Sequence, residues 1–165
     1  RSVVDMSVDT MARLARHPNI VGVKDATNDL TRPVRTRLAV GPKFCQLSGE
    51  DGTFAGFLGQ GGDGIISVTC NVAPALCAQL YDAWTKSDMA TFGRVRDLLM
   101  PLHDALFAET SPTPVKYAAS LLGLCAADVR LPLAPLTPAT QGRVRAAMEN
   151  AGLLLSEDGK RARFG

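Results

Sequence analysis

Three short apolar runs, Ile20 to Lys24, Phe44 to Ser48 and Gly64 to Val68, start roughly twenty residues apart, each preceded by a helical pattern. The runs are apolar on both faces, so both faces need cover. Parallel strands with right-handed helical crossovers provide it. The spacing suits a (β/α) barrel or a doubly wound sheet.

The helices have readable ends. Ser7 is a candidate N-cap, and Met11, Leu14 and Ala15 recur at helical spacing up to His17-Pro18. Asp29 or Thr31 caps the next helix, with Pro33 in its first turn and Gly41-Pro42 at its end. A short helix carries Phe54, Phe57 and Leu58 on one face and stops in Gly59-Gln60-Gly61-Gly62. After Val68 the pattern is purely helical. Pro74 opens a helix through Trp84, and Asp88 caps another with Phe92, Val95, Leu98, Leu99, Leu102 and Leu106 as its apolar stripe. Pro114 opens a third through Gly123, and Thr137-Pro138 a fourth ending at Ala151-Gly152. Such stripes are read as core. The expected organisation is βα units over residues 1–73, helices over 74–155 and a frayed basic tail over 156–165.

Composition narrows the functional classes. A hydrophobic fraction of 46%, a charged fraction of 21% and a net charge of +2 describe an ordinary globular chain with no bias toward nucleic acid or acidic membranes. No apolar run approaches the ~20 residues of a membrane helix, and no segment reads as a signal peptide. Cys45, Cys70, Cys77 and Cys125 lack C-x-x-C spacing and are read as reduced core residues of a cytoplasmic protein. His17 and His103 are expected on separate helices without ligand-spaced partners, so no metal site is expected. The first residue is Arg1 and the chain runs at once into a turn and helix, so a C-terminal part of a longer protein is expected.

In parallel α/β folds, chemistry gathers at the carboxyl ends of the strands. Here those ends present Lys24-Asp25-Ala26-Thr27, Ser48-Gly49-Glu50-Asp51 and Ser67-Val68-Thr69-Cys70-Asn71. A lysine ending a buried strand is poorly solvated as a cation, which favours neutral amine, the form that attacks a ketone. Gly49 allows close backbone approach, and small hydroxyl residues complete a rim suited to a keto acid. Gly61-Gly62-Asp63-Gly64 precedes a strand and matches no phosphate-binding pattern, so it is read as a helix-to-strand turn. Glu50 and Asp51 are read as solvated or structural.

Gly22-Val23-Lys24-Asp25-Ala26-Thr27, Leu47-Ser48-Gly49-Glu50-Asp51 and Gly64-Ile65-Ile66-Ser67-Val68-Thr69-Cys70-Asn71 closely resemble segments of the dihydrodipicolinate synthase family. The likeness continues through Leu99-Met100-Pro101-Leu102-His103, Ser111-Pro112-Thr113-Pro114-Val115-Lys116-Tyr117 and Arg130-Leu131-Pro132-Leu133. The resemblance implies a (β/α)₈ TIM barrel of which strands six to eight are present, followed by C-terminal helices. It implies condensation of pyruvate with aspartate semialdehyde through a lysine Schiff base on the route to lysine, with no cofactor. Lys24 then falls at the catalytic lysine, Ile66 at a pyruvate-contacting backbone position, Gly49 at the strand-seven glycine beside the keto acid, and Arg1 at the strand-five arginine that positions carboxylates. It also implies a homo-oligomer, commonly a tetramer.

Two departures from the family pattern stand out. Asn28 occupies a position where many members carry glycine. The family's catalytic tyrosine, its pyruvate-loop threonine and its lysine-feedback site would all lie upstream of Arg1. A full barrel takes ~250 residues, so this length is expected to leave open strand edges and an exposed apolar face. The expectation for the piece alone is inactivity. Rival readings are another pyruvate Schiff-base enzyme, such as N-acetylneuraminate lyase, and a non-catalytic half-barrel. Ser48-Gly49-Glu50-Asp51 and Asn71 favour the synthase over the lyase.

Overall fold

The computed structural model describes residues 4–155 and divides the chain into two compact units, Arg1–Ser67 and Val68–Gly165. Arg1 and the tail at 156–165, both subjects of expectations above, lie outside the described residues.

In the first unit the order is α1 (Val8–Leu14), β1 (Gly22–Asp25), α2 (Arg32–Val40), β2 (Cys45–Ser48), α3 (Phe54–Gly59) and β3 (Gly64–Ile65). The strands form one parallel sheet in the order β1-β2-β3. Ser7 caps α1, its hydroxyl accepting from the Thr10 N–H at 3.2 Å. That helix ends at Leu14, short of the expected His17. The His17 N–H turns back to the Leu14 carbonyl at 2.9 Å, and the following Pro18 disfavours helical backbone at His17. His17 therefore lies in the turn, not on a helix.

The first run pairs from Gly22 to Asp25, two residues later than its start at Ile20. Ile20 is held in the preceding turn by its N–H bond to His17, and pairing begins only where the Cys45 N–H reaches the Val21 carbonyl at 2.9 Å. α2 begins as expected, but its start is organised by Asp29, which accepts from the Thr31 N–H at 2.9 Å and hydroxyl at 2.6 Å. Buried Gln46 donates to the Pro33 carbonyl at 2.9 Å, so its amide is partnered as a buried polar group must be. The Gly61–Gly64 segment is the expected helix-to-strand turn. Arg37 ties down its start through the Gln60 and Gly61 carbonyls, both at 2.9 Å, and Asp63 exchanges bonds with the Gln46 backbone at 2.7 and 2.8 Å. β3 is only two residues long, not the expected five: the last ladder bond runs from the Ile66 N–H to the Ser48 carbonyl at 2.8 Å, where β2 ends.

The second unit is helical: a 3₁₀ turn (Thr69–Asn71), then α4 (Pro74–Thr85), α5 (Met89–Leu106), α6 (Thr113–Leu121) and α7 (Pro138–Asn150). α5 packs against the other three, and Val95, Leu99, Leu102 and Leu106 on its stripe are fully buried. Trp84 and Phe92 bring α4 and α5 together with ring centroids 5.4 Å apart. Buried His103 shares a 2.7 Å hydrogen bond with buried Thr69, which gives the ring a structural partner. Thr137 caps α7 while its hydroxyl donates to Glu109 at 2.7 Å. The expectation of four core cysteines fails at Cys70 and Cys125, which are exposed, while Cys45 and Cys77 are half-buried. Cys70 stands in the short 3₁₀ turn and Cys125 in an irregular segment, and neither belongs to a helix or strand long enough to present a buried stripe. Among the described residues no helix is long and apolar enough to cross a membrane.

Truncating Leu102 to alanine empties a fully buried site and should cost about 2–5 kcal/mol in urea unfolding, whereas Leu38→Ala, on an exposed side chain, should stay within about 0.5 kcal/mol. Asp88 supplies a pH signature. The Thr91 backbone N–H, which it caps, and the Thr91 hydroxyl hold its carboxyl below the ordinary 3.8. A depressed folded-state value stabilises above the unfolded value and loses that effect as pH falls through the folded one. The stability gap between wild type and Asp88→Ala should therefore be full near about pH 6 and should close as the pH drops below 3.8.

Candidate functional site

The carboxyl ends of the three strands are bonded side by side. The Gly49 N–H donates to the Asp25 carbonyl at 2.7 Å, and the Ile66 N–H to the Ser48 carbonyl at 2.8 Å. The ladder thus lines up the residues that follow Lys24, Leu47 and Ile65. Lys24 stands opposite Leu47 and Gly22 opposite Cys45, so Lys24 shares a sheet face with Leu47. Val23 and Asp25 point to the opposite face, with buried Gln46 and Ser48.

Lys24 and Gly49 meet directly. A Cβ added at Gly49 would lie 2.7 Å from Lys24 Cε, 3.2 Å from Lys24 Cγ and 2.8 Å from Ala26 Cβ. The lysine stem therefore crosses space that only glycine leaves empty. The expected burial of Lys24 is not observed: the side chain is exposed. β1 is an edge strand, and among the described residues no strand pairs with its far side, so nothing shields the amine there. Ile66 is 48% exposed on the other edge, and Val21 is 71% exposed. Among the described residues the three-stranded sheet has open edges at β1 and β3, as the sequence led us to expect.

The hydroxyls expected to face a ligand are occupied by partners within the protein. Thr27 donates to the Asp25 carboxylate at 2.7 Å, and Ser48 bonds the Glu50 backbone in both directions at 3.1 Å. Ser67 donates to Asp51, which is buried, so Asp51 is structural. Thr69 is spent on His103. Asn28 adopts a left-handed backbone with φ of 63°, a conformation that favours glycine and that asparagine also tolerates. Exchange between these two residues at this point is accordingly a conservative one.

A pair of residues that carries no local sequence signal stands out behind Lys24. Arg32 Nε lies 3.2 Å from the Asp25 carboxylate, an ion pair not aligned as a hydrogen bond, and its Nη1 bonds both Asp5 oxygens at 2.8 and 2.9 Å. It also donates to the Met6 carbonyl. A groove of about 710 Å³ follows the free edge of β1, with Val4, Asp5, Met6, Lys24, Ala26 and Arg32 among its walls.

Residues 1–151 match the dihydrodipicolinate synthetase family. The 4-hydroxy-tetrahydrodipicolinate synthase of Rhodospirillum centenum is 70% identical over 154 residues, which cover 93% of this chain and 53% of that protein. The structure of the 4-hydroxy-tetrahydrodipicolinate synthase of Methylacidiphilum fumariolicum SolV superposes with a TM-score of 0.88 at 34% identity, over 92% of this chain and 51% of that one. The chloride-inhibited dihydrodipicolinate synthase of Acinetobacter baumannii, solved with pyruvate, gives 0.87 at 38%, over 93% and 53%. The chain is an α/β protein with a small parallel sheet, and it belongs to the dihydrodipicolinate synthetase family. It spans about half the length of the curated relatives it matches.

Gly49→Ala should force the Lys24 stem aside and move the Ala26 backbone, since a methyl 2.8 Å from the Ala26 Cβ finds no room. The expected cost is about 1–3 kcal/mol in denaturant unfolding, with Lys24 displaced in the variant's crystal structure. An unshifted Lys24 and an unchanged midpoint would show that the close approach is not a constraint.

Proposed function

We propose that this chain is the lysine-bearing half of an enzyme that condenses pyruvate with aspartate 4-semialdehyde to give 4-hydroxy-tetrahydrodipicolinate. The observation that carries it is Lys24, at the carboxyl end of a parallel strand with its stem laid over Gly49, in a chain of this family. In this reading β1, β2 and β3 are strands six, seven and eight of a (β/α)₈ barrel. Residues 1–73 supply barrel units and 74–155 the appended helices.

The chemistry follows from the amine. Neutral Lys24 Nζ attacks the keto carbon of pyruvate, the oxygen leaves as water, and an imine remains. Loss of a methyl proton gives the enamine, whose carbon adds to the aldehyde of the second substrate. Ring closure by the substrate's own amine then displaces Lys24. The protonated imine serves as the electron sink, so the sequence of steps calls for no cofactor. Strands closing over the bare edge of β1 would remove water from Lys24 and favour its neutral form.

Gly49 leaves space beside the keto acid, and the Ile66 backbone contacts it. Arg1 presents a guanidinium fork to a substrate carboxylate. The half-length of this chain relative to its relatives implies that the piece alone is inactive, because proton transfer and positioning groups come from the rest of the protein. Assembly as a homo-oligomer, a tetramer by resemblance, and a cytoplasmic location belong to the same reading.

Borohydride reduction of the complete protein with pyruvate should add one reduced pyruvyl group, mapped to the peptide holding Lys24. Lys24→Ala and Lys24→Arg should both abolish the adduct and turnover, the latter because guanidinium stays protonated. An adduct on another residue, or undiminished labelling of Lys24→Ala, would refute the assignment.

A further inference from the structure

We propose that Ser48 is a positioning residue for the keto acid: its hydroxyl withholds the backbone donor that would otherwise pair the Ile66 carbonyl. The proposal rests on the reading of Lys24 as the Schiff-base lysine and of the Ile66 backbone as a keto-acid contact. In a parallel ladder the N–H and C=O of one residue share a side, and a residue that donates to one partner accepts from the residue two further along the partner strand. Ile66 donates to the Ser48 carbonyl at 2.8 Å, so the donor due to its own carbonyl is the Glu50 N–H. That N–H turns instead onto Ser48 Oγ at 3.1 Å, while the Ser48 hydroxyl donates to the Glu50 carbonyl at 3.1 Å. No described residue donates to the Ile66 carbonyl. A short polar side chain at a strand end competes with the ladder for backbone groups, and here it ends the pairing of β2 with β3 one bond short. Ser48 is 1% exposed, so water does not take its place in that exchange.

The open carbonyl is held in place on both sides. The ladder bond fixes the Ile66 N–H, and Ser67, next in sequence, donates its hydroxyl to buried Asp51 on the β2 loop. Its direction matters too. A carbonyl on the side of the Ile66 N–H faces β2, so a strand added along the free edge of β3 would pair the alternate residues and leave it open. Carrying the register on from Ser48 and Ile65 puts Ile66 opposite Gly49, the glycine over which the Lys24 stem lies. An amine and an unpaired acceptor therefore meet at one glycine. The keto acid brings no donor of its own near neutral pH. It gains one when the Lys24 amine adds to its keto carbon: the C–N bond forms, the C=O π bond breaks, and the proton lost from nitrogen ends on oxygen as a hydroxyl. The Ile66 carbonyl accepts from that hydroxyl and holds the adduct until the oxygen takes a second proton and leaves as water. With the Glu50 N–H free to complete the ladder, this acceptor would be spent on backbone.

The test uses the complete protein with Ser48→Ala and Ser48→Cys. Cysteine fills a similar space but is a weak donor and acceptor, so it separates hydrogen bonding from packing. Three quantities are measured: the rate of imine formation, read by borohydride quenching of the pyruvate reaction at successive times; KM for aspartate semialdehyde; and the crystal structure of each variant that folds. Both variants should slow imine formation about 3- to 10-fold, the range for one neutral hydrogen bond, with the aldehyde KM within about twofold of wild type. The Glu50 N–H should stand within hydrogen-bond distance of the Ile66 carbonyl in their structures. If Ser48→Ala does not fold, Ser48→Cys alone decides. Imine formation at the wild-type rate in Ser48→Cys would make Ser48 a packing residue and overturn the proposal. A parallel rise in the aldehyde KM, or an Ile66 carbonyl still unpaired in the variant structures, would overturn it too. If wild type itself fails to trap pyruvate at Lys24, the Schiff-base reading fails and the role of Ser48 falls with it; normal wild-type trapping with no Ser48 effect condemns Ser48 alone.

Discussion

The lateral hydrogen bonds at the strand ends underlie everything else in the first unit. Gly49 N–H to Asp25 carbonyl and Ile66 N–H to Ser48 carbonyl hold three loops in one row, at 2.7 and 2.8 Å. Backbone bonds of this kind are indifferent to side-chain identity, so the loops are free to carry chemistry while the ladder keeps register. Register decides which face each residue takes. A slip of one residue would turn Lys24 away and bring Val23 onto its face. The pairing of Lys24 with Leu47, set by the ladder, is what lets the lysine stem reach Gly49.

Local patterns in the sequence were enough for the element order, the caps at Ser7, Asp88 and Thr137, and the buried stripe of α5, because each is decided within one or two turns of chain. The strand limits were less legible, because a strand begins where its partner offers a carbonyl. The Val21 to Cys45 contact that starts β1 and the end of β2 that cuts short β3 are both long-range facts. The exposure of Lys24 has the same origin. An apolar run announces a strand but not how many neighbours flank it.

The site was legible in part. Lys24 and Gly49 stand together as their position at neighbouring strand ends implied. The hydroxyls did not behave as a ligand rim, since Thr27 and Ser48 had acceptors in their own loops and Ser67 had one in the neighbouring loop at Asp51. Arg32 escaped notice because its partners at Asp5 and Asp25 become neighbours only after α2 folds back on the sheet and on the segment before α1. In the second unit, His103 offered a reactive group to the sequence reader, and its bond to Thr69 in a buried setting assigns it to the framework.

The bare strand edges carry a consequence for handling the chain in solution. β1 and β3 each keep one row of backbone donors and acceptors that no strand among the described residues pairs. Folding within one chain is first order, whereas pairing of such edges between chains is second order, so their ratio moves with concentration. Dilution favours the solitary molecule and concentration favours strand addition between copies. A biophysicist working with this piece is therefore observing a kinetic competition whose winner is chosen by the number of molecules in the tube.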